Sequence, residues 1–243
     1  EKEKNSPQML KAYAWRMKYR EMLNPDSLYA GLKGLEQWVK QTDQPMDRAI
    51  LHSLIAGIYA NYAANNQWQL RQRTEIVGQT PSADIREWTA NMFVEKVRTN
   101  VKEALADSVL LLKTSSRDYI PFVELGKTSE YYHHDLYHLL ASRGIDALLQ
   151  VEKLGSGYTE TNAVNPVKQD IIAIYGNMLS AYKAAGLKEG YVLIALNYLE
   201  WRRGAERYIR PLQVKGEASV LTDDTYLKAL NTLKSKYASE PIC

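Results

Sequence analysis

Apolar residues recur at helical spacing along almost the whole of this chain, and that pattern restricts it to an all-α fold. The stretch PVKQDIIAIYGNMLSAYKAAG, residues 166–186, carries the pattern with both of its end signals. Ile171, Tyr175, Met178 and Tyr182 fall on one face of a 3.6-residue period. Pro166 suits a first helical turn, where its missing N–H costs nothing, and Gly186 suits a left-handed stop. Leu51, Leu54, Ile55, Ile58 and Tyr62 predict a second buried face of the same kind. No alternating run stands between hairpin-turn residues. Asn24 and Gln44 each precede a proline, which disfavours helix at that residue. The spacing predicts helices over roughly 6–23, 26–42, 46–66, 84–106, 129–152, 166–185, 188–205 and 223–238.

Most of these helices come in pairs joined by short turns, with longer breaks at 79–88, 115–127 and 212–224. The segment 152–166 is rich in Gly, Ser, Thr and Asn, and it lacks an apolar face. It predicts a boundary between an N-terminal helical-hairpin segment, 1–155, and a C-terminal one, 162–243, with one continuous helical domain as the other arrangement. Tyrosine is abundant, 17 residues against two phenylalanines, and small residues accompany it, as in LIAGIYANYAANNQW. Large-against-small contacts let neighbouring helices approach closely. Ala56 and Tyr59 sit three apart, like the small and aromatic positions of a tetratricopeptide first helix. There is no strict 34-residue period. The expected fold is therefore all-α, with irregular, tetratricopeptide-like helical hairpins packed as a solenoid or a bundle.

Several function classes draw no support. Thirty-one basic residues stand against 28 acidic ones, a net charge of +3 that exerts little long-range pull on nucleic acid or an anionic membrane. No apolar run approaches the length that spans a bilayer. The start, EKEKNSPQ, lacks the apolar centre of a signal peptide. The end, YASEPIC, breaks off after a helix-like pattern and predicts a piece of a longer chain. The single cysteine, Cys243, has no assigned base and no partner for an intramolecular disulfide. No glycine-rich phosphate loop, GxSxG elbow or HExxH zinc motif is present.

YYHHDLYHLL, residues 131–140, holds three of the four histidines. On one continuous helix His134 and His138 would share a face, and two imidazoles at i, i+4 can bind one zinc ion. His133 would point about 100° away from His134. Asp135 stands where the zinc-protease motif has Glu, and no third ligand announces itself. The expectation is a packing helix that buries Leu136, Leu139 and Leu140, with the histidines at its edge. The lone His52 reads as a packing histidine too. GLEQ at 34–37 lacks the cysteine of an internal thioester, since Gly34 holds that position. WRRGAERYIR at 201–210 sets arginines beside aromatics, which could stack on nucleic acid. Glu206 interrupts it, so it reads as a solvated helix face.

The order of several blocks goes beyond composition. RAILHSLIAGIYANYAANNQWQLRQRTEI runs into DIREW, then MFVEKVRTNVKEALAD, then HDLYHLLASRGIDALL, and last YLKALNTLKSKYAS. This order closely resembles the N-terminal helical region of the large alpha-2-macroglobulin-like proteins of Bacteroidetes, from about residue 6 to the end. That family has a block reading roughly Leu-Tyr-Asp-Phe-Leu-Ala-His-Arg-Ala-Leu-Asp. Here it stands as Leu136, Tyr137, His138, Leu139, Leu140, Ala141, Ser142, Arg143, Gly144, Ile145 and Asp146. His138 replaces the family's Asp and Ser142 its His. Metal chemistry would not survive such swaps, whereas helix packing tolerates them, with Leu136, Tyr137, Leu139 (for the family's Phe) and Ala141 as the retained packing part.

The resemblance implies a non-catalytic helical spacer or protein–protein docking module, at the N-terminus of a cell-envelope endopeptidase inhibitor. Its partners would be other domains of the same chain or a protease. It implies an exported protein in the periplasm or outer membrane. It implies no cofactor, no metal and no catalytic residue, and no thioester residue maps onto this chain. One alternative is a free-standing tetratricopeptide-like adaptor. Another is a metal-dependent enzyme using His134 and His138.

Overall fold

The protein is described by a computed structural model covering residues 5–24, 27–74, 82, 84–124, 135–152, 154, 165–207 and 223–239. Among the described residues there are ten α-helices and two 3-10 helices, and no strand. An isolated antiparallel bridge pairs Ser115 with Asp135. The chain is all-α, as its apolar period requires. The helices divide into two compact units, α1–α7 and α8–α10. The expected boundary at 152–166 lies largely outside the described residues.

The first unit is built around α3, Pro45–Asn65. Gln44 is extended at ψ 113° and Pro45 opens the helix, so the proline that ends one helix starts the next. α3 packs along both α5, Ala90–Ala104, and α7, Leu136–Glu152, and those two pack on each other. These three mutually touching helices make the core of this unit. Surrounded in this way, α3 buries more than one face. Leu51, Ile55, Ala56, Tyr59, Ala60 and Ala63 are buried, while Leu54, Ile58 and Tyr62 of the expected stripe are half-buried. Removing a side chain such as Leu51 or Phe93 from water contributes roughly 1.5–3 kcal/mol.

α2, Ser27–Gln41, lies on α3, and α1, Ser6–Leu23, lies on α2. Here the large-against-small expectation has a concrete form. Tyr13 Oη donates to the Gly31 carbonyl at 2.9 Å, and a Cβ at Gly34 would stand 2.1 Å from that same hydroxyl. A Cβ at Gly31 would meet Met17 Cε at 2.6 Å. Two glycines of α2 thus receive two large side chains of α1, and GLEQ is ordinary helix.

Two predicted helices begin later than expected, and two short helices lie between the predicted ones. The helix expected from 84 begins at Ala90. Asp84 instead caps a 3-10 turn, Ile85–Glu87, by accepting from Arg86 N–H at 2.9 Å. Trp88 and Thr89 are then extended, which turns the Trp88 ring into the core against Tyr59 and Phe93. The helix expected from 129 begins at Leu136. The short helices α4, Gln67–Arg71, and α6, Ser108–Lys113, occupy turns whose sequences are too brief to show a period.

The second unit is a hairpin of α8, Pro166–Ala184, and α9, Lys188–Arg207, with α10, Asp223–Lys236, on α9. Asn165 caps α8 through its side-chain oxygen, and Pro166 occupies the first turn. At the other end Gly186 takes φ 71°. The Leu187 N–H then reaches the Tyr182 carbonyl at 3.0 Å, and the Gly186 N–H reaches that of Lys183 at 3.2 Å. This is a Schellman stop, which satisfies carbonyls the helix end would leave unpaired. Ile171, Tyr175, Met178 and Tyr182 are buried. A Cβ at Gly190 would stand 2.2 Å from Tyr182 Cε1, so α9 approaches α8 closely at its first turn.

Candidate functional site

The histidine-rich stretch resolves around Asp135, which is buried. Its Oδ1 accepts the His138 backbone N–H at 2.7 Å, three residues into the chain that follows. That is the geometry of an N-cap, which supplies an acceptor to a donor the first helical turn cannot pair. The Leu136 N–H goes to the Thr114 carbonyl at 2.8 Å, anchoring the helix start beside α6. α7 starts at Leu136 and carries His138 in its first turn. His133 and His134 lie outside the described residues. His138 is half-buried. Among the described residues no group of three or more His, Cys, Asp or Glu side chains is placed to hold a metal ion.

Several polar pairs in the first unit tie separate elements together. Asn100 Nδ2 donates to the Lys96 carbonyl at 2.8 Å, which leaves its Oδ1 as acceptor for His52 Nδ1 at 2.8 Å. His52 therefore carries its proton on Nδ1 and links α3 to α5. Buried Asp47, in the first turn of α3, accepts from Ser6 Oγ at 2.5 Å and from Tyr119 Oη at 3.2 Å. Tyr59 donates to Glu36 Oε1 at 3.1 Å, and Lys96 Nζ reaches the same oxygen at 3.2 Å. Lys96 Nζ also stands 5.8 and 5.9 Å from the ring centroids of Tyr59 and Trp88, within cation–π range.

Three buried tyrosines hold their protons tightly. Burial, reinforced by the charge of Glu36 and its hydrogen bond, drives the Tyr59 hydroxyl well above its ordinary range. Burial and then Asp47 do the same for Tyr119. Burial and then the Asp135 charge push Tyr137 up to about 12. Each phenol stays neutral near pH 7 and serves as a fixed donor or a packed ring.

In the second unit, Tyr175, Tyr198 and Trp201 form an aromatic group with centroids 5.0–6.2 Å apart. Arg202 lies 5.6 Å over Tyr198, and Arg203 lies 4.7 Å over Tyr226 of α10. These two arginines stack on the protein's own rings, which leaves less of them for a nucleic acid. Residues 208–210 of WRRGAERYIR and Cys243 lie outside the described residues.

What stands open to a partner is the outer face of α1. Trp15, Tyr19, Met22 and Leu23 are exposed there, and the Trp15 and Tyr19 rings stack at 5.5 Å. Met9 of α1 is exposed outside this group, and others, such as Trp68 and Val109, are scattered singly. Sequence reasoning did not single out this face. Its spacing, 15, 19, 22, is the same signal as a core stripe, so periodicity alone could not say that it faces outward.

No protein-family model, no curated protein and no solved structure matches the chain.

Proposed function

We propose that this chain is a non-catalytic helical spacer and docking module at the N-terminus of a cell-envelope, alpha-2-macroglobulin-like endopeptidase inhibitor. The observation that carries the reading is the burial pattern of the block 136–146. Leu136, Tyr137 and Ala141, retained from the family's block, are in the core. Of the positions that depart from it, His138, Leu139 and Ser142 are half-buried, while Gly144 and Ile145 are buried and remain small or apolar. A block whose buried positions are all apolar, aromatic or small, at matched and departing positions alike, is suited to packing and not to reactive groups. Buried Asp47 accepts hydrogen bonds from two other elements and buried Asp135 caps the helix that follows it, which supports the same reading.

The deciding experiment is the size of the natural protein in its own cell, read with an antibody raised against this segment. A band several times heavier than these 243 residues, in the envelope fraction, is expected. Protease trapping by that full protein is the assay that follows. A band near the mass of 243 residues overturns the reading and leaves the tetratricopeptide-like adaptor.

A further inference from the structure

α1 is apolar on two opposite faces, and its rotation about its own axis is locked. Leu10 is buried, and Tyr13 and Met17 fill the space above Gly34 and Gly31 of α2. The opposite face is thereby held outward, with Trp15, Tyr19, Met22 and Leu23 at 41, 55, 72 and 88% exposure. At about 100° per residue these four side chains share an arc centred opposite Leu10. Lys11 and Lys18 border that arc on one side, and Arg20 and Arg16, whose guanidinium lies 4.6 Å over the Tyr13 ring, border it on the other. Lys18 Nζ lies 4.9 Å from the Trp15 ring centroid, so the cation stands directly beside the stripe.

The charge is concentrated here as well. α1 carries Lys11, Arg16, Lys18 and Arg20 against the single acid Glu21, a surplus of three that equals the net charge of the entire chain. A chain that looks balanced overall therefore has a locally basic helix. An apolar stripe with cations along both borders is the pattern of a helix lying in a membrane interface. Tryptophan and tyrosine favour the headgroup level, methionine and leucine reach the acyl boundary, and lysine and arginine extend back to phosphates. A second copy of the chain fits poorly, because pairing α1 with α1 would set two basic borders against each other. No described helix is long and apolar enough to cross a membrane, so the contact would lie in the plane of the surface.

We propose that α1 is an in-plane anchor that seats Trp15, Tyr19, Met22 and Leu23 in the headgroup region of an anionic bilayer. With only four inserted side chains the attachment is weak and reversible, and its strength depends on the basic borders. It does not require that a larger chain follow, so it stands or falls apart from the macroglobulin-like reading.

The test uses the 243-residue chain and sedimenting vesicles, one set of phosphatidylcholine alone and one with phosphatidylglycerol added. Binding to the anionic set only, weakened as salt rises to roughly 0.5 M, is expected. M22D/L23D changes the two most exposed positions, where neither side chain packs in the core, and should lower binding by about tenfold or more with an unchanged circular dichroism spectrum. K11E/K18E, which leaves the stripe intact, should lower it too. Absence of binding to anionic vesicles overturns the proposal, as does undiminished binding by both variants. A dimer in sedimentation velocity that M22D/L23D dissolves would also overturn it, by assigning the face to a second copy.

Discussion

The Tyr119 hydroxyl donates to Asp47 Oδ1 at 3.2 Å, joining the 3-10 helix Ser116–Tyr119 to the first turn of α3. Ser6 Oγ donates to the other carboxylate oxygen at 2.5 Å, so one buried acid holds the start of α1 as well. A carboxylate beside an α-helix N-terminus is also favoured by the helix dipole. Asp47→Ala strands two hydroxyls in one step and should cost about 2–3 kcal/mol. Tyr119→Phe leaves the Ser6 bond in place and should cost about 1 kcal/mol. Urea unfolding of the two variants measures the ranking; equal losses would mean the network carries no energy of its own.

Gly144 of α7 faces Val101 of α5, and a Cβ there would lie 2.9 Å from Val101 Cγ1. The two helices are close at this point because nothing projects from one of them. Gly144→Ala should therefore destabilise by roughly 1–3 kcal/mol through overpacking, even though alanine is the better helix former. Val101→Ala alone should also destabilise, by opening a cavity. The double variant should recover part of the Gly144→Ala loss, and a double-mutant cycle with purely additive effects would refute the contact.

Asp135 caps α7 through the His138 N–H. Asp135→Ala should cost about 1–2 kcal/mol, with Asp135→Asn recovering most of it because its side chain still offers an acceptor. The histidine variants give the contrast. His134→Ala should leave zinc content unchanged in elemental analysis. Stoichiometric zinc lost in that variant would revive the metal reading.

Tyr137 gives a pH dependence whose sign is fixed. Its folded-state pKa is pushed up to about 12, first by burial and then by the charge of Asp135. Unfolded, a tyrosine ionises near 10. Below about pH 10 both states hold the proton and the burial contributes in full. Between about 10 and 12 the unfolded chain releases protons that the folded chain retains, so stability falls as pH rises, by on the order of 2 kcal/mol from this residue. Chemical denaturation across that window should show the fall, and Tyr137→Phe should flatten it. Tyr59 and Tyr119, raised in the same direction, add to the slope.

Much of the secondary structure is legible in the residues because its signals are local. Pro166 and Gly186 mark the two ends of α8 within a turn, and Pro45 marks the start of α3. Period and end signals act through the backbone of a few adjacent residues, so no distant contact is needed to read them. The starts of α5 and α7 are different. Each is set by partners far along the chain: Trp88 by its stacking on Tyr59, and Asp135 by its bridge to Ser115. An apolar period continues through both starts and conceals them.

The candidate surface shows the same division. From its apolar period the chain is determined to be helical, with tyrosines set against small residues along it. Which of the two apolar faces of α1 is buried depends on Gly31 and Gly34 accepting Met17 and Tyr13 from the neighbouring helix. Only tertiary packing makes that choice, because a stripe has the same spacing whether a helix or a solvent lies against it. The placing of α3 between α5 and α7 is likewise tertiary, since a helix that buries several faces carries no single stripe to announce its neighbours.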